Sequence, residues 1–231
     1  ISNKVPLSAQ SLAQLPRLKL IAIPATGFNH IDLQTCKQQG IMVSNIPDYA
    51  QTTVPEHVLA LLFALRRQLI PYQRSVAAGR WQQSGQFCYF DYPIRDVKGS
   101  TLGIVGAGAL GTAVATLAKA LGMQVLFAAR KGQNTIKPGY VSFDTMLAQS
   151  DVISLHCPLT ADNAQLLGAA EFAAMKKKPI IINTARGGLI DSQALVEALQ
   201  AGQIRAAGID VTDPEPPAQD HPFMQILDRD D

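Results

Sequence analysis

The sequence predicts an α/β protein built on a doubly wound parallel sheet, and three observations carry that expectation. Five short, almost wholly apolar runs recur from residue 101 onward: Thr101–Val105, Gln124–Ala128, Val152–Leu155, Ile180–Asn183 and Ala206–Ile209. Helix-length stretches separate them, at residues 110–121, 143–149, 169–175 and 192–201. The first run also feeds straight into Gly106-Ala-Gly108-Ala-Leu-Gly111. Strands that are apolar on both faces and alternate with helices indicate a parallel sheet covered on both sides.

Ahead of this regular region the elements are shorter. Residues 18–23 read as a buried strand between Pro16 and Pro24, residues 31–39 as a helix stopped by Gly40, and residues 41–43 as a second strand broken at Asn45-Ile-Pro47. Thr53-Val-Pro-Glu56 has the spacing of a capping box with Pro55 in the first turn. The helix it opens is expected to run through Leu59, Leu62, Phe63 and Arg66 until Pro71 breaks it. Residues 79–93 hold Trp81, Phe87, Tyr89, Phe90 and Tyr92 and read as an irregular arm that needs a partner surface. The expected division is therefore residues 1–44, the end of one domain, and residues 45–231, a nucleotide-type α/β domain.

Composition narrows the function classes. Of 231 residues, 20 are Lys or Arg and 18 Asp or Glu, a net charge of +2, with no basic run beyond Lys176-Lys177-Lys178, so nothing calls for nucleic acid. Hydrophobic residues make up 47% of the chain, enough for a sizeable core. The longest apolar stretch, residues 58–65, ends at Arg66-Arg67 and is too short to cross a membrane. The amino end has no charged segment leading into an apolar one, so secretion is not expected. Cys36, Cys88 and Cys157 lie far apart without a CxxC pair, which argues against a disulfide framework or a metal site and fits a reducing cytoplasm.

The glycine cluster carries the first chemistry. Placed between a strand and an Ala-rich helix, Gly106 would make the tight turn, Gly108 would admit a pyrophosphate against the backbone, and Gly111 would let helix pack on strand. The helix start at Ala109 and Leu110 would aim N–H groups and the positive end of the helix dipole at the phosphates. This is the fingerprint of a Rossmann-type domain binding NAD or NADP. The acid that normally receives the adenosine ribose hydroxyl is missing, since Ala128 and Ala129 precede Arg130 and Lys131. An uncharged position followed by two cations suits a 2′-phosphate, which tilts the expectation to NADP; the alternative is that Arg130 and Lys131 form a solvated loop.

Further on, Asn183-Thr-Ala-Arg-Gly-Gly-Leu-Ile-Asp191 follows the fourth apolar run, and Gly208-Ile-Asp210-Val-Thr-Asp-Pro-Glu215 the fifth. Ligands bind at the carboxyl edge of such sheets, and an arginine there can hold a carboxylate or polarise a carbonyl. With Ala25-Thr-Gly-Phe-Asn-His-Ile-Asp32, Asn45-Ile-Pro-Asp48, Val54-Pro-Glu-His57 and His156-Cys-Pro158, these residues resemble the D-2-hydroxyacid dehydrogenase family along the whole chain. The likeness is greatest to its glycerate dehydrogenase/hydroxypyruvate reductase branch.

The resemblance implies that a flavodoxin-like substrate domain precedes the Rossmann-type one. It implies that Arg186 binds the substrate's carboxylate or carbonyl oxygen, and that backbone N–H groups around Thr26 and Gly27 hold the carboxylate. Asp210 would accept from the nicotinamide carboxamide, while Thr184, Ala185, Cys157 and Pro158 line the nicotinamide end. Glu215 would raise the pKa of a histidine that protonates the nascent alkoxide. The family's histidine stands in a Thr-Pro-His segment that these 231 residues lack; His221 matches a surface turn instead, so the chain is expected to be part of a longer protein. The substrate would be a small 2-keto or 2-hydroxy acid, and the aromatic arm with the helix from Val54 would form a homodimer interface. A nicotinamide-sensing corepressor of the same fold and a phosphoglycerate or formate dehydrogenase are the competing readings. Cys157, His156, His30 and His57 are expected to be structural.

Overall fold

A computed structural model describes residues 1–3, 5–47 and 49–229. Asp48, within the Asn45-to-Asp48 motif, and Asp230 and Asp231, at the end of the expected second domain, lie outside the described residues. The chain divides into two compact units, Ile1–Thr52 and Thr53–Asp231.

In the first unit, α1 (Ala9–Ala13) leads to β1 (Leu20–Ile23), then α2 (Leu33–Gln38) and β2 (Met42–Asn45). The strands pair in parallel from Leu20↔Met42 to Ile23↔Asn45. Leu12, Ile21, Ile23, Ile31, Cys36 and Ile41 form the buried core. The helix expected from residue 31 begins at Leu33 because Asp32 is its cap, accepting from the Thr35 N–H at 2.9 Å and the Thr35 hydroxyl at 2.8 Å.

Residues after β2 fold back on the loop after β1. Asn45 Nδ2 donates to Thr26 O (2.9 Å), Ile46 N to Ala25 O (3.2 Å) and the Thr26 hydroxyl to Ile46 O (3.0 Å).

The second unit opens with α3 (Thr53–Arg66), α4 (Leu69–Ala77) and α5 (Arg80–Ser84). Pro71 does not break the first helix as expected. The break comes earlier, at Gln68, whose φ of 55° is left-handed, and Pro71 then sits in the first turn of α4, where a missing N–H costs no hydrogen bond. The expected irregular arm is likewise partly helical and folds on α4. The Tyr72 hydroxyl donates to Tyr92 O (3.0 Å), the rings of Tyr89 and Tyr92 meet Tyr72 edge-on, and Arg80 pairs with Asp91.

The regular region follows as β3 (Thr101–Val105), α6 (Ala109–Ala120), β4 (Gln124–Ala128), β5 (Tyr140–Val141), α7 (Phe143–Gln149), β6 (Val152–Leu155), α8 (Ala169–Ala174), β7 (Ile180–Asn183), α9 (Ser192–Gln200) and β8 (Ala206–Ile209). Among the described residues these strands form a six-stranded sheet in the order β5-β4-β3-β6-β7-β8, every pair parallel. The period-2 alternation of the strands splits the core in two. Leu102, Ile104, Ile180 and Ile182 pack with Val58, Leu62, Val114 and Ala118 of α3 and α6. Ile153, Leu155 and Ile181 pack with Phe143, Met146, Leu147, Phe172, Leu195 and Leu199 on the other face. Burying each such large side chain contributes about 1.5–3 kcal/mol. The chain leaves β3 towards one edge of the sheet and crosses back to β6, so the connections after β3 and β6 leave the carboxyl edge in opposite directions while the two strands stay paired. That switch point is where such folds open a crevice.

Candidate functional site

The crevice is a cleft of about 1130 Å³, lined by Gly106 and Gly108 after β3, by Ala128 to Gln133 after β4, and by His156 to Pro158 after β6. Its floor depends on one backbone conformation. Gly106 has φ +104°, and a Cβ there would lie 2.7 Å from both Cys157 N and His156 C. The turn therefore presses backbone on backbone, with His156 N donating to Val105 O at 2.8 Å. A Cβ on Gly111 would strike Gly106 O and approach Ile104 Cγ2 at 3.2 Å, which fixes how closely α6 meets the turn. Gly108 differs: nothing lies within 4 Å of the Cβ position, so its open side faces the cleft.

Gly108 caps α6, and the first intrahelical bond runs from Thr112 N to Gly108 O. Helix geometry leaves the N–H groups of Ala109, Leu110 and Gly111 without intrahelical partners, at the positive end of the dipole. These are the donors a pyrophosphate takes, so the residues present fit a dinucleotide.

Arg130, Lys131, Lys137 and Tyr140 also line the cleft. Arg130 and Lys131 differ in their surroundings. Lys131 Nζ is 2.7 Å from Glu171 Oε1. No ion pair among the described residues engages the Arg130 guanidinium.

On the opposite wall, Asn163 Nδ2 donates to Pro158 O (2.8 Å) and its Oδ1 accepts from Thr160 N (2.7 Å), which fixes the loop behind Cys157 and Pro158. Burial raises the Cys157 thiol above its ordinary value, so it is a neutral thiol and no nucleophile at neutral pH. Burial lowers His156 to about 4, and its Nε2 meets Ser154 Oγ at 2.8 Å; the ring is a neutral, hydrogen-bonded part of the wall.

At the carboxyl end of β7 a buried amide organises the arginine loop. Asn183 Oδ1 accepts from Ala185 N (3.0 Å) and its Nδ2 donates to Arg186 O (2.9 Å). Gly187 lies against the backbone after β8, where a Cβ would stand 2.6 Å from Asp213 N and closer still to Thr212. The Arg-Gly-Gly sequence thus lets the Arg186 loop seat directly on the Asp210–Glu215 segment. Arg186 itself is exposed, its Nη1 donating to Ala185 O at 2.6 Å. Thr184 places a buried hydroxyl beside it that has no partner within the described protein, a donor and acceptor suited to a ligand. Asp191 turns away from this chemistry to cap α9 through Gln193 N and Ala194 N, both at 3.0 Å.

Asp210 N donates to Asn183 O (3.0 Å), while its carboxylate lies 3.5 Å from His57 Nε2. The sequence alone reads His57 as structural; its place beside Asp210 appears only once α3 is laid across the sheet edge. Lys137, Tyr140, Asn163 and Glu171 also escape sequence reading, since none lies in a motif. Glu215 is exposed on the segment after β8. His221 caps the short turn Pro222–Gln225, its Nδ1 accepting from Phe223 N at 3.3 Å, but it is buried and not on the surface as expected. In the first unit, Thr26 and Gly27 lie on the loop after β1, with the Thr26 side chain and carbonyl committed to the bonds with Asn45 and Ile46.

Among the described residues, no helix is long and apolar enough to cross a membrane. Comparison with known proteins agrees with this architecture. The chain is 55% identical over 215 residues to the glycerate dehydrogenase of Methylorubrum extorquens, covering 93% of this chain and 67% of that protein. Its fold superposes with a TM-score of 0.83 on D-lactate dehydrogenase from Aquifex aeolicus in complex with NAD and lactic acid, at 33% identity, covering 97% of this chain and 70% of that one. The same TM-score, 0.83, relates it to an acyclic imino acid reductase in complex with NADPH and D-Arg, at 31% identity and with 96% and 70% covered. Residues 59–229 match the NAD binding domain of the D-isomer specific 2-hydroxyacid dehydrogenases. The chain, with its glycine turn, its cleft at the sheet's switch point and its arginine loop, belongs to the D-2-hydroxyacid dehydrogenase family and carries that family's NAD-binding domain.

Proposed function

We propose that the protein reduces a small 2-keto acid, hydroxypyruvate or glyoxylate, to the D-2-hydroxy acid, with residues 1–44 belonging to the substrate domain and residues 45–231 to the coenzyme domain. The observation that carries this reading is the Arg186 loop, held at the carboxyl edge of β7 by Asn183 and seated through Gly187 on the Asp210–Glu215 segment. When bound, the nicotinamide supplies a hydride to the carbonyl carbon. Arg186 holds the carboxylate or carbonyl oxygen of the acid and stabilises charge developing on that oxygen. Thr26 and Gly27 contribute backbone N–H groups to the carboxylate. Asp210 accepts from the carboxamide and fixes the ring face presented, beside Thr184, Ala185, Cys157 and Pro158. Glu215 is placed to pair with a proton-donating histidine and raise its pKa, so that the imidazole can protonate the carbonyl oxygen. The likeness to a glycerate dehydrogenase supports hydroxypyruvate as the first substrate to try.

The cation at Arg130, directly after the alanines that stand where an acid would receive a ribose hydroxyl, supports NADPH as the preferred coenzyme. The exposed aromatics of the arm support a homodimer, and three free cysteines support a cytoplasmic setting. The test is coenzyme oxidation by the full-length protein with hydroxypyruvate, glyoxylate and pyruvate, in the wild type and in Arg186→Ala. Turnover lost by at least about a hundredfold in kcat/KM, with coenzyme still bound, is the expected result. Near-normal turnover in Arg186→Ala would remove Arg186 from the chemistry, and no turnover with any 2-keto acid would overturn the reading.

A further inference from the structure

Three cations line the cleft, Arg130, Lys131 and Lys137, and one of them is already claimed. Lys131 Nζ lies 2.7 Å from Glu171 Oε1; the lysine side chain is 49% exposed and the carboxylate only 12%. Glu171 belongs to the first turn of α8, and its other oxygen accepts from Gly168 N at 3.0 Å. Burial alone would raise this carboxyl, but the bonds from Lys131 and Gly168 outweigh it and hold the group below the usual carboxylate range. Glu171 is therefore ionised at neutral pH. The pair it makes with Lys131 links the loop after β4, which lines the cleft, to the first turn of α8.

We propose that Glu171 sets the balance between NADPH and NADH by neutralising Lys131, so that Arg130 and Lys137 meet the 2′-phosphate while Lys131 contributes no net charge. The inference rests on the NADPH reading above. A 2′-phosphate carries close to two negative charges at neutral pH, and its attraction follows the net charge around it. Lys131 with Glu171 sums to zero; Lys131 alone would add one positive charge to a site that already has two. NADH presents an uncharged hydroxyl at the same place and is indifferent to the exchange. Glu171 is thus a positioning residue for specificity, acting through Lys131 and touching no coenzyme itself.

The experiment is the dissociation constant of NADPH and of NADH, measured by calorimetry on the full-length protein and its variants. Glu171→Gln removes the charge but keeps an oxygen to accept from Gly168 N, so α8 retains its cap. Its expected effect is an NADPH affinity roughly three- to tenfold tighter, with NADH within about twofold of wild type. The unchanged NADH value is also the check that the variant is folded. Adding Lys131→Ala to Glu171→Gln restores the wild-type charge sum and should return NADPH affinity to its starting value. An unchanged NADPH-to-NADH ratio in Glu171→Gln, or weaker NADPH binding, overturns the inference. Arg130→Ala separates the two levels. If it weakens NADPH selectively while Glu171→Gln changes nothing, the NADPH reading stands and this inference alone fails. If Arg130→Ala weakens both coenzymes equally, the NADPH reading fails and takes this inference with it.

Discussion

His57 Nε2 lies 3.5 Å from Asp210 Oδ1, so the first turn of α3 reaches the carboxylate that follows β8. The backbone of Asp210 is separately tied to β7 through Asn183 O. Its carboxylate is thus approached from a helix and its main chain from a strand, and among the described residues it is the helix contact that steers the side chain. If Asp210 receives the nicotinamide carboxamide, His57→Phe should weaken NADH and NADPH by the same factor, roughly three- to tenfold, and leave their ratio intact. Both side chains are about half exposed, so folding stability should move by less than about 0.5 kcal/mol. His57→Gln keeps a donor and should recover part of the loss. Binding constants equal to wild type in His57→Phe would reduce the pair to a surface contact.

The glycines of the turn separate folding from binding. An alanine at Gly106 meets both a left-handed φ and the backbone of His156 and Cys157. Gly106→Ala should destabilise the second unit by about 2–4 kcal/mol and abolish coenzyme binding with it. Gly108 has φ −75° and open space at its Cβ position, so Gly108→Ala should unfold at the wild-type urea midpoint. Its loss should appear only in coenzyme affinity, by about tenfold or more, because the added methyl stands where a phosphate would approach. A Gly108→Ala variant that binds normally would show that no ligand packs against that side of the turn.

The same local-versus-distant distinction explains how much of the molecule is legible in its sequence. The runs at β3, β4, β6, β7 and β8 are almost wholly apolar and bounded by turn residues, and their extents coincide with the strands observed. β5 is two residues, Tyr140 and Val141, too short for any periodicity. Pro71 misleads because a proline signals a break without saying on which side of it the next helix starts. Within the site, the glycine turn and the Arg186 loop are contiguous in sequence, so their residues announce themselves. His57 with Asp210 and Lys131 with Glu171 are pairs made by the fold between residues far apart in sequence, and only the placement of α3 and α8 brings them together.

The arm after α4 satisfies its own polar groups but not its apolar ones. Tyr72, Tyr89 and Tyr92 form an internal cluster, whereas Phe87 and Phe90 are 92% and 81% exposed, with Trp81 nearby at 47%. Exposed aromatics grouped on one segment mark an interaction surface. The full-length protein should give a dimer mass by light scattering at micromolar concentration, and Phe87→Asp with Phe90→Asp should shift it to the monomer. A monomeric wild type would leave this surface without a second copy of the chain as its partner.

His156 gives the second unit a pH dependence whose direction is fixed by burial. Its pKa in the folded protein is lowered to about 4 from an ordinary 6.5, because burial penalises the imidazolium. The unfolded chain therefore takes up the proton first as pH falls, and stability rises with pH wherever the unfolded state binds more protons. The contribution is complete above about pH 6.5 and is lost progressively down to about pH 4, a total on the order of 3 kcal/mol. Urea midpoints of the wild type should decline across that window, ahead of the carboxylates that titrate below it. His156→Asn keeps a polar side chain for Ser154 and has no proton to gain. It should flatten the decline between about pH 6.5 and about pH 4.5, and a variant whose midpoints fall as steeply as the wild type's would assign the dependence to other groups.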